Sequence, residues 1–256
     1  MAEKACLVDV TKCIACRGCQ IACKSWNQLP AEKTTFDGTY ENPPDLSAST
    51  VTKIKFREVA EGGKVKWLFR KVQCFHCTDA GCVKACPVPG ALTKLEDGTV
   101  YLDQNKCTGC KYCIMNCPFE IPRWDATKGK AFKCNFCYDR TSNGLPPACQ
   151  KICVGGAIQY GDRDTLIAYA KTRPGFLYGE KELGGLHWMY LLPVDDPELY
   201  FLPKEPKLPK SLIVWKDILK PIGLILGGGS ILAWLGYHFL LMPQKEKLTK
   251  EAEKHS

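Results

Sequence analysis

Apolar positions along the first 170 residues come in short runs. ACLVDV (5–10), WLFRKV (67–72), TVYLD (99–103) and, more weakly, KAF (130–132) each lead into a stretch crowded with cysteine. GALTKL (90–95) and GGAIQY (155–160) follow two of those stretches. Runs of this kind read as strands that feed a loop or return from it. VTKIKFREV (51–59) and KVKWLFRKV (64–72) flank Gly62–Gly63 and predict a hairpin. Near the C-terminus the pattern changes. From Pro221 to Pro243 no charged residue occurs for 23 positions, with Lys220 and Lys245 outside. As a helix this stretch rises roughly 34 Å, enough for a hydrocarbon layer of about 30 Å. Trp215 stands where an interfacial anchor belongs. Gly223 and Gly227, extended by Gly228, Gly229 and Gly236, give a small-residue face that lets another helix approach. His238 is the titratable residue of the span, and two roles stay open for it, a haem contact or a polar interfacial residue.

Between these elements lie two polar stretches. Residues 30–50 are rich in Pro, Asp, Ser and Thr and read as a surface loop. Residues 171–210 have little periodicity and several prolines, and read as an extended stretch lying along a partner. The tail 244–256 is charged.

The cysteines explain what the short runs serve. Seventeen are present, and sixteen fall into four quartets. They are Cys13, Cys16, Cys19, Cys23; Cys74, Cys77, Cys82, Cys86; Cys107, Cys110, Cys113, Cys117; and Cys134, Cys137, Cys149, Cys153. Each opens C-x2-C and closes C-x3-C, an internal repeat. The first and third have the C-x2-C-x2-C-x3-C spacing of bacterial ferredoxins, whose thiolates hold a four-iron, four-sulfur cube. Zinc closes its shell with four ligands and has no use for a third cysteine two residues on. A disulfide framework belongs to small secreted chains, and this chain has 256 residues and no secretory signal at its start. Four [4Fe–4S] clusters are therefore expected. Cys6, in an apolar run, is expected to be a packed thiol that binds none. His76, between Cys74 and Cys77, lacks the second histidine that Rieske-type ligation needs and reads as a hydrogen-bonding neighbour.

In two-cluster ferredoxins the fourth cysteine of a run ligates the other cluster. Applied here, Cys13, Cys16, Cys19 and Cys153 hold one cube, and Cys134, Cys137, Cys149 and Cys23 its neighbour. Cys74, Cys77, Cys82 and Cys117 hold a third, and Cys107, Cys110, Cys113 and Cys86 the fourth. The second and third quartets are the local pair, and the first and fourth close around them. The expected class is α+β: two interlocked ferredoxin-like units and one C-terminal transmembrane helix. The expected boundaries are 1–66 with 125–175 for the first unit, 67–124 for the inserted second, 176–210 for the partner-contacting linker, 211–243 for the anchor and 244–256 for the tail.

The formal net charge of +8 counts thiols as neutral. Four oxidised cubes contribute roughly −8, which brings the loaded chain near neutrality. Lys12, Arg17, Lys24, Lys84, Lys106, Lys111, Lys133 and Lys151 sit one or two residues from a cysteine and read as local charge compensation or as solvated surface. No aromatic and basic interleaving marks a nucleic-acid groove. Nor is there a nucleotide-binding glycine loop, an activated nucleophile or an acid–base pair. Four carriers and one anchor make a wire, which runs from a catalytic subunit to a membrane-embedded acceptor.

The four quartets together resemble the four-cluster beta subunits of molybdopterin oxidoreductases. YENPPDLSA (40–48), GGLHWMYLLP (184–193), DPELY (196–200) and WKDILKPIG (215–223) resemble most the beta subunit of membrane-bound formate dehydrogenase. The resemblance implies a catalytic alpha subunit with a molybdenum or tungsten bis-pterin cofactor. It also implies a gamma subunit with b-type haem and a quinone site, and a place on the periplasmic side of the inner membrane, reached by export with the alpha chain. Electrons would pass through the first–fourth unit and then the second–third unit. The equivalent subunit of a polysulfide reductase or hydrogenase stays open as a second reading. A zinc-bearing interaction module is the third.

Overall fold

The computed structural model describes residues 2–223 together with 225, 230, 234 and 235. Residues Met1–Leu208 form one compact unit and Pro209–Ser256 another. In the first unit the strands are β1 (Lys4–Asp9), β2 (Lys53–Glu61), β3 (Lys64–Val72), β4 (Leu92–Lys94), β5 (Val100–Leu102), β6 (Arg123–Asp125), β7 (Lys130–Phe132), β8 (Ile158–Asp162), β9 (Phe176–Tyr178) and β10 (Trp188–Leu192). The helices are α1 (Gly18–Trp26), α2 (Gly81–Ala85), α3 (Tyr112–Met115), α4 (Tyr138–Thr141), α5 (Ala148–Lys151) and α6 (Arg163–Lys171).

A four-stranded sheet in the order β8-β1-β10-β9 anchors the fold. β1 runs parallel to β10, with Cys6 opposite Trp188, and antiparallel to β8, with Cys6 also opposite Tyr160. Successive side chains on a strand point to opposite faces. Ala5, Leu7, Met189 and Leu191 therefore share one face, covered by Leu166 and Ala170 of α6. Cys6, Val8, Trp188 and Tyr190 share the other, packed with Phe75, Phe136 and the cysteine loops. Strands buried on both faces read as continuous apolar runs, and WMYLL is one: each of its five residues is buried.

That strand corrects the expectation for 176–210. Its first half is no linker. β9 and β10 are integral to the sheet, and only from Pro193 does the chain run out through loops and a short 3-10 turn at Pro197–Tyr200. The expected boundaries at 66/67 and 124/125 also fall inside β3 and β6. β3 pairs with β2 along its whole length, from Glu61 opposite Lys64 to Lys53 opposite Val72, so the chain cannot be divided there. The hairpin turns at Gly62 (φ +58°) and Gly63 (φ +75°), the left-handed pair that a two-residue turn demands.

Two further two-stranded ribbons, β4–β5 and β6–β7, flank the second and third quartets. β6 has no counterpart in the sequence reading. In the second unit α7 (Lys210–Ile213) leads into π-type turns over Val214–Leu219. Among the described residues no helix is long and apolar enough to cross a membrane. Most of the expected span Pro221–Met242, including His238, lies outside the described residues.

Candidate metal centres

The four quartets share a backbone as well as a spacing. In each opening C-x2-C the second intervening residue is left-handed: Ala15 (φ 54°), His76 (φ 50°), Gly109 (φ 70°) and Phe136 (φ 61°). Three of the four carry a side chain, which makes the conformation cost about 1–2 kcal/mol each. Such a kink turns successive N–H groups to one side and makes a cradle for an anion. The Phe136 N–H already donates to Cys134 Sγ at 3.4 Å. The third cysteine of every quartet is the second residue of a helix: Cys19 on α1, Cys82 on α2, Cys113 on α3 and Cys149 on α5. The fourth follows one helical turn later, as Cys23, Cys86, Cys117 and Cys153.

Helix packing joins the quartets in pairs, α1 against α5 and α2 against α3. Two glycines permit the approach. A Cβ on Gly155 would lie 2.6 Å from the Lys12 carbonyl oxygen, and one on Gly81 would lie 2.5 Å from that of Asn116. Beside α1 an apolar-lined space is bounded by Cys13, Cys16 and Cys19 of the first quartet and by Cys153 of the fourth. A second space is bounded by Cys107, Cys110 and Cys113 of the third quartet and by Cys86 of the second. In both, three thiols of one run meet the last thiol of another. Charges among the remaining thiols also reach across quartets. Burial lifts Cys77 well above the ordinary thiol range, and the charges acting on it next are those of Cys74, Cys117 and Cys82. Burial likewise pushes Cys23 up to about 12, and Cys149 and Cys137 are among the thiols that act on it. Burial also raises Cys134 well above the ordinary range, and Cys23 is the first charge in line after it.

All seventeen cysteines are free thiols. Burial pushes Cys19 and Cys82 up to about 12, and Cys113, Cys117 and Cys137 to about 11. Thiols so hard to ionise are poor nucleophiles. They become thiolates where a metal supplies the positive charge. Zinc gathers its thiolates on one centre, whereas a cube places one thiolate on each of four irons. His76 adds to the fit. Its Nδ1 accepts from the Val100 N–H at 2.9 Å, so the proton sits on Nε2, which is buried and has no protein partner. A cluster held by Cys74 and Cys77 would offer sulfide as an acceptor of the kind this donor lacks.

The cations next to the ligands take different partners. Lys12, Lys84 and Lys106 pair with Asp9, Asp79 and Asp103. Arg17 lies over Phe56, and Lys111 over Trp124 at 3.6 Å. Lys24 donates to the Ser49 carbonyl, and Lys151 is exposed. Lys133 is buried on the Val100 and Cys134 carbonyls. Cys6 lies in β1 with no exposure, and burial raises it well above the ordinary thiol range.

Comparison with known proteins settles the class. Two family models, both described as a 4Fe-4S dicluster domain, match residues 65–163 and 12–91 and between them take in every quartet. The formate dehydrogenase iron-sulfur subunit of Haemophilus influenzae is 42% identical over 96% of this chain and 83% of its own length. The iron-sulfur subunit of the nitrate-inducible formate dehydrogenase of Escherichia coli is 41% identical over 99% of this chain and 90% of its own. This chain belongs to the formate dehydrogenase iron–sulfur subunits. Formate dehydrogenase 2 subunit beta (cytochrome c-553) of Nitratidesulfovibrio vulgaris is a further relative, 40% identical over 66% of this chain. Two ferredoxin-like dicluster domains account for four [4Fe–4S] clusters, one for each quartet's worth of thiolates.

For this family member, sequence reasoning located the thiols but missed two things around them. One is the left-handed kink, because Ala, His and Phe at that position carry no signal for it. The other is Lys71, which lines the first space beside Cys13, Cys16, Cys19 and Cys153.

Proposed function

We propose that the chain is the electron-transfer subunit of a respiratory formate dehydrogenase and catalyses nothing alone. The observation that carries this is the pair of cysteine-walled spaces, each closed by the last thiol of another quartet. The cubes are assigned to Cys13, Cys16, Cys19 and Cys153; to Cys134, Cys137, Cys149 and Cys23; to Cys74, Cys77, Cys82 and Cys117; and to Cys107, Cys110, Cys113 and Cys86. Each cube, when bound, takes up and releases one electron. The chain's own part is to space them, keep water from them and set their potentials.

Of the seventeen cysteines only Cys16 and Cys110 are exposed. Exposed apolar side chains lie close to them along the chain, Ile14 near the first and Tyr112 near the second, and Ile152 and Val154 flank Cys153, which lines the same space as Cys16. Exposed apolar side chains of this kind mark contact surfaces. They suit a donor subunit at one end of the wire and an acceptor at the other. The relatives' names support a catalytic formate dehydrogenase subunit as the donor, and the resemblance of the four quartets to the beta subunits of molybdopterin oxidoreductases implies that it holds a molybdenum or tungsten pterin. The acceptor is a membrane cytochrome b subunit with a quinone site. Residues 211–243 form the anchor in a single pass, with the globular part on the periplasmic side. The 23 uncharged positions from Pro221 to Pro243 within them support that reading.

The test is purification from membranes. About sixteen irons per chain, with acid-labile sulfide, are expected, and the complex should reduce a quinone with formate. A complex that ignores formate and oxidises another donor would keep the wire and overturn the partner.

A further inference from the structure

β3 ends inside the core and carries a lysine there. Lys71 is 2% exposed. Its Nζ donates to Gln73 Oε1 at 3.0 Å and lies 4.2 Å from the centroid of the Trp188 ring. Gln73 is held in that orientation, since its Nε2 donates to the Tyr190 hydroxyl at 2.7 Å. The Tyr190 hydroxyl in turn donates to the Lys71 carbonyl at 2.8 Å. One neutral hydrogen bond and one ring contact do not offset the cost of taking an ammonium out of water. The groups that act most strongly on its charge are Cys149, Cys19, Cys134 and Tyr190, with no carboxylate among them. Lys71 also lines the space walled by Cys13, Cys16, Cys19 and Cys153. Cys19 belongs to one proposed cube, and Cys134 and Cys149 to its neighbour, so one ammonium serves both.

We infer that Lys71 is a fixed interior cation that sets the reduction potentials of the two clusters of the first–fourth unit. Adding one electron makes a cube one charge more negative, and no proton need follow. A cation nearby stabilises the reduced form more than the oxidised form and raises the potential. In a water-free core that effect is neither screened by salt nor diluted by solvent. Lys12, Lys84 and Lys106, although nearer in sequence to ligands, are paired with carboxylates and present little net charge.

The inference rests on the cluster assignment proposed above. Iron and sulfide in the unaltered complex test that assignment by themselves, and a chain without iron overturns it rather than the role of Lys71. The test of Lys71 is Lys71→Gln in the membrane-purified complex, with each cluster followed by electron paramagnetic resonance during a redox titration. Two of the four signals should move to lower potential, with the oxidised-to-reduced ratio at fixed potential rising about tenfold, or 59 mV for a one-electron couple. The other two should stay, and iron should be unchanged. Lys151→Gln, at an exposed position near Cys153, should move them less. Four unmoved signals overturn the inference, and so does an equal shift of all four. If Lys71→Gln strips iron from the first–fourth unit, Lys71→Arg decides. Retained iron with near-native potentials supports the need for a charge, and loss of iron there too shows that the position is read by shape and overturns it.

Discussion

In the second–third half of the cysteine framework, everything needed is close in sequence. The β4–β5 ribbon lies between the two quartets, β6–β7 follows the third, and a small core of Ala80, Leu92, Val100, Leu102 and Ala131 packs directly on Cys82 and Cys113. In the first–fourth half, the quartets meet only after the chain has travelled from Cys23 to Cys134. A loop roughly fivefold longer costs only about 1.5 kcal/mol more to close. Distance is therefore a small obstacle, and precision is the larger one, because a long loop leaves the ends free to meet in many ways. The four-stranded sheet removes that freedom. It hydrogen-bonds the strand before the first quartet, β1, to the strand after the fourth, β8, in a fixed register, and places the buried β10 on its other side. A local pair can be held by its loops, whereas a distant pair needs a ladder.

Replacing the lent cysteine in each half breaks the comparison most directly. Cys117→Ser should empty the cube gathered by Cys74, Cys77 and Cys82, with a loss of about four of about sixteen irons. Formate oxidation by a soluble dye acting at the catalytic subunit should survive, while formate-driven quinone reduction should fail. Cys153→Ser should empty the cube of Cys13, Cys16 and Cys19 and lower the unfolding temperature further, because that space is walled by Val8 and Ile158 of the anchoring sheet. Iron analysis and thermal unfolding of both variants check this. If each serine empties the cube of its own quartet, the quartets are not crossed.

The same contrast decides what could be read from the sequence. The quartets, the strands around them and the β2–β3 hairpin were legible, since each depends on residues within a few positions. The sheet was less so. β10 is a short apolar run hemmed in by Gly184, Gly185 and Pro193, and without knowledge of its parallel partner it looks like a linker. β6 consists of three residues, Arg123–Asp125, none of them apolar except Trp124. Lys71 shares its strand with Lys64 and Lys66, which are exposed, and nothing local tells which lysine enters the core.

Two glycine substitutions sharpen the contrast at smaller scale. Alanine at position 155 or 81 would press a Cβ onto a backbone oxygen of the paired quartet, at 2.6 and 2.5 Å. Overpacking of this kind costs about 1–3 kcal/mol. Gly155→Ala should fall at the upper end, because β8, three residues on, is locked to β1 and cannot yield. Gly81→Ala should fall at the lower end, since Asn116 sits in a short loop and Leu208 Cδ2, at 2.7 Å, can rotate away. Denaturation of the two holoproteins measures the difference, and equal costs would mean that the sheet adds no stiffness to the distant pair.

The smallest effect concerns the point where β10 meets the second quartet. His187 is fully buried, and its Nδ1 donates to the His76 carbonyl at 2.7 Å. Burial first, and the Lys94 ammonium next, pull its pKa down to about 4. In the unfolded chain it titrates near 6.5. Above that value the ring is neutral in both states and the pH has no hold on it. As the pH falls below about 6.5 the unfolded chain takes up a proton that the folded one refuses, so stability declines, and the decline is complete once the pH has passed about 4. At pH 5.5 the loss from this group is about 1 kcal/mol. His187→Gln, which keeps a donor for the His76 carbonyl, should remove that part of the slope between pH 7 and 5.5. Unfolding midpoints of the variant and the parent, followed in parallel over this interval, should draw together as the pH falls. Parallel curves would place the acid sensitivity elsewhere and leave the contact between β10 and the second quartet without a titrating group.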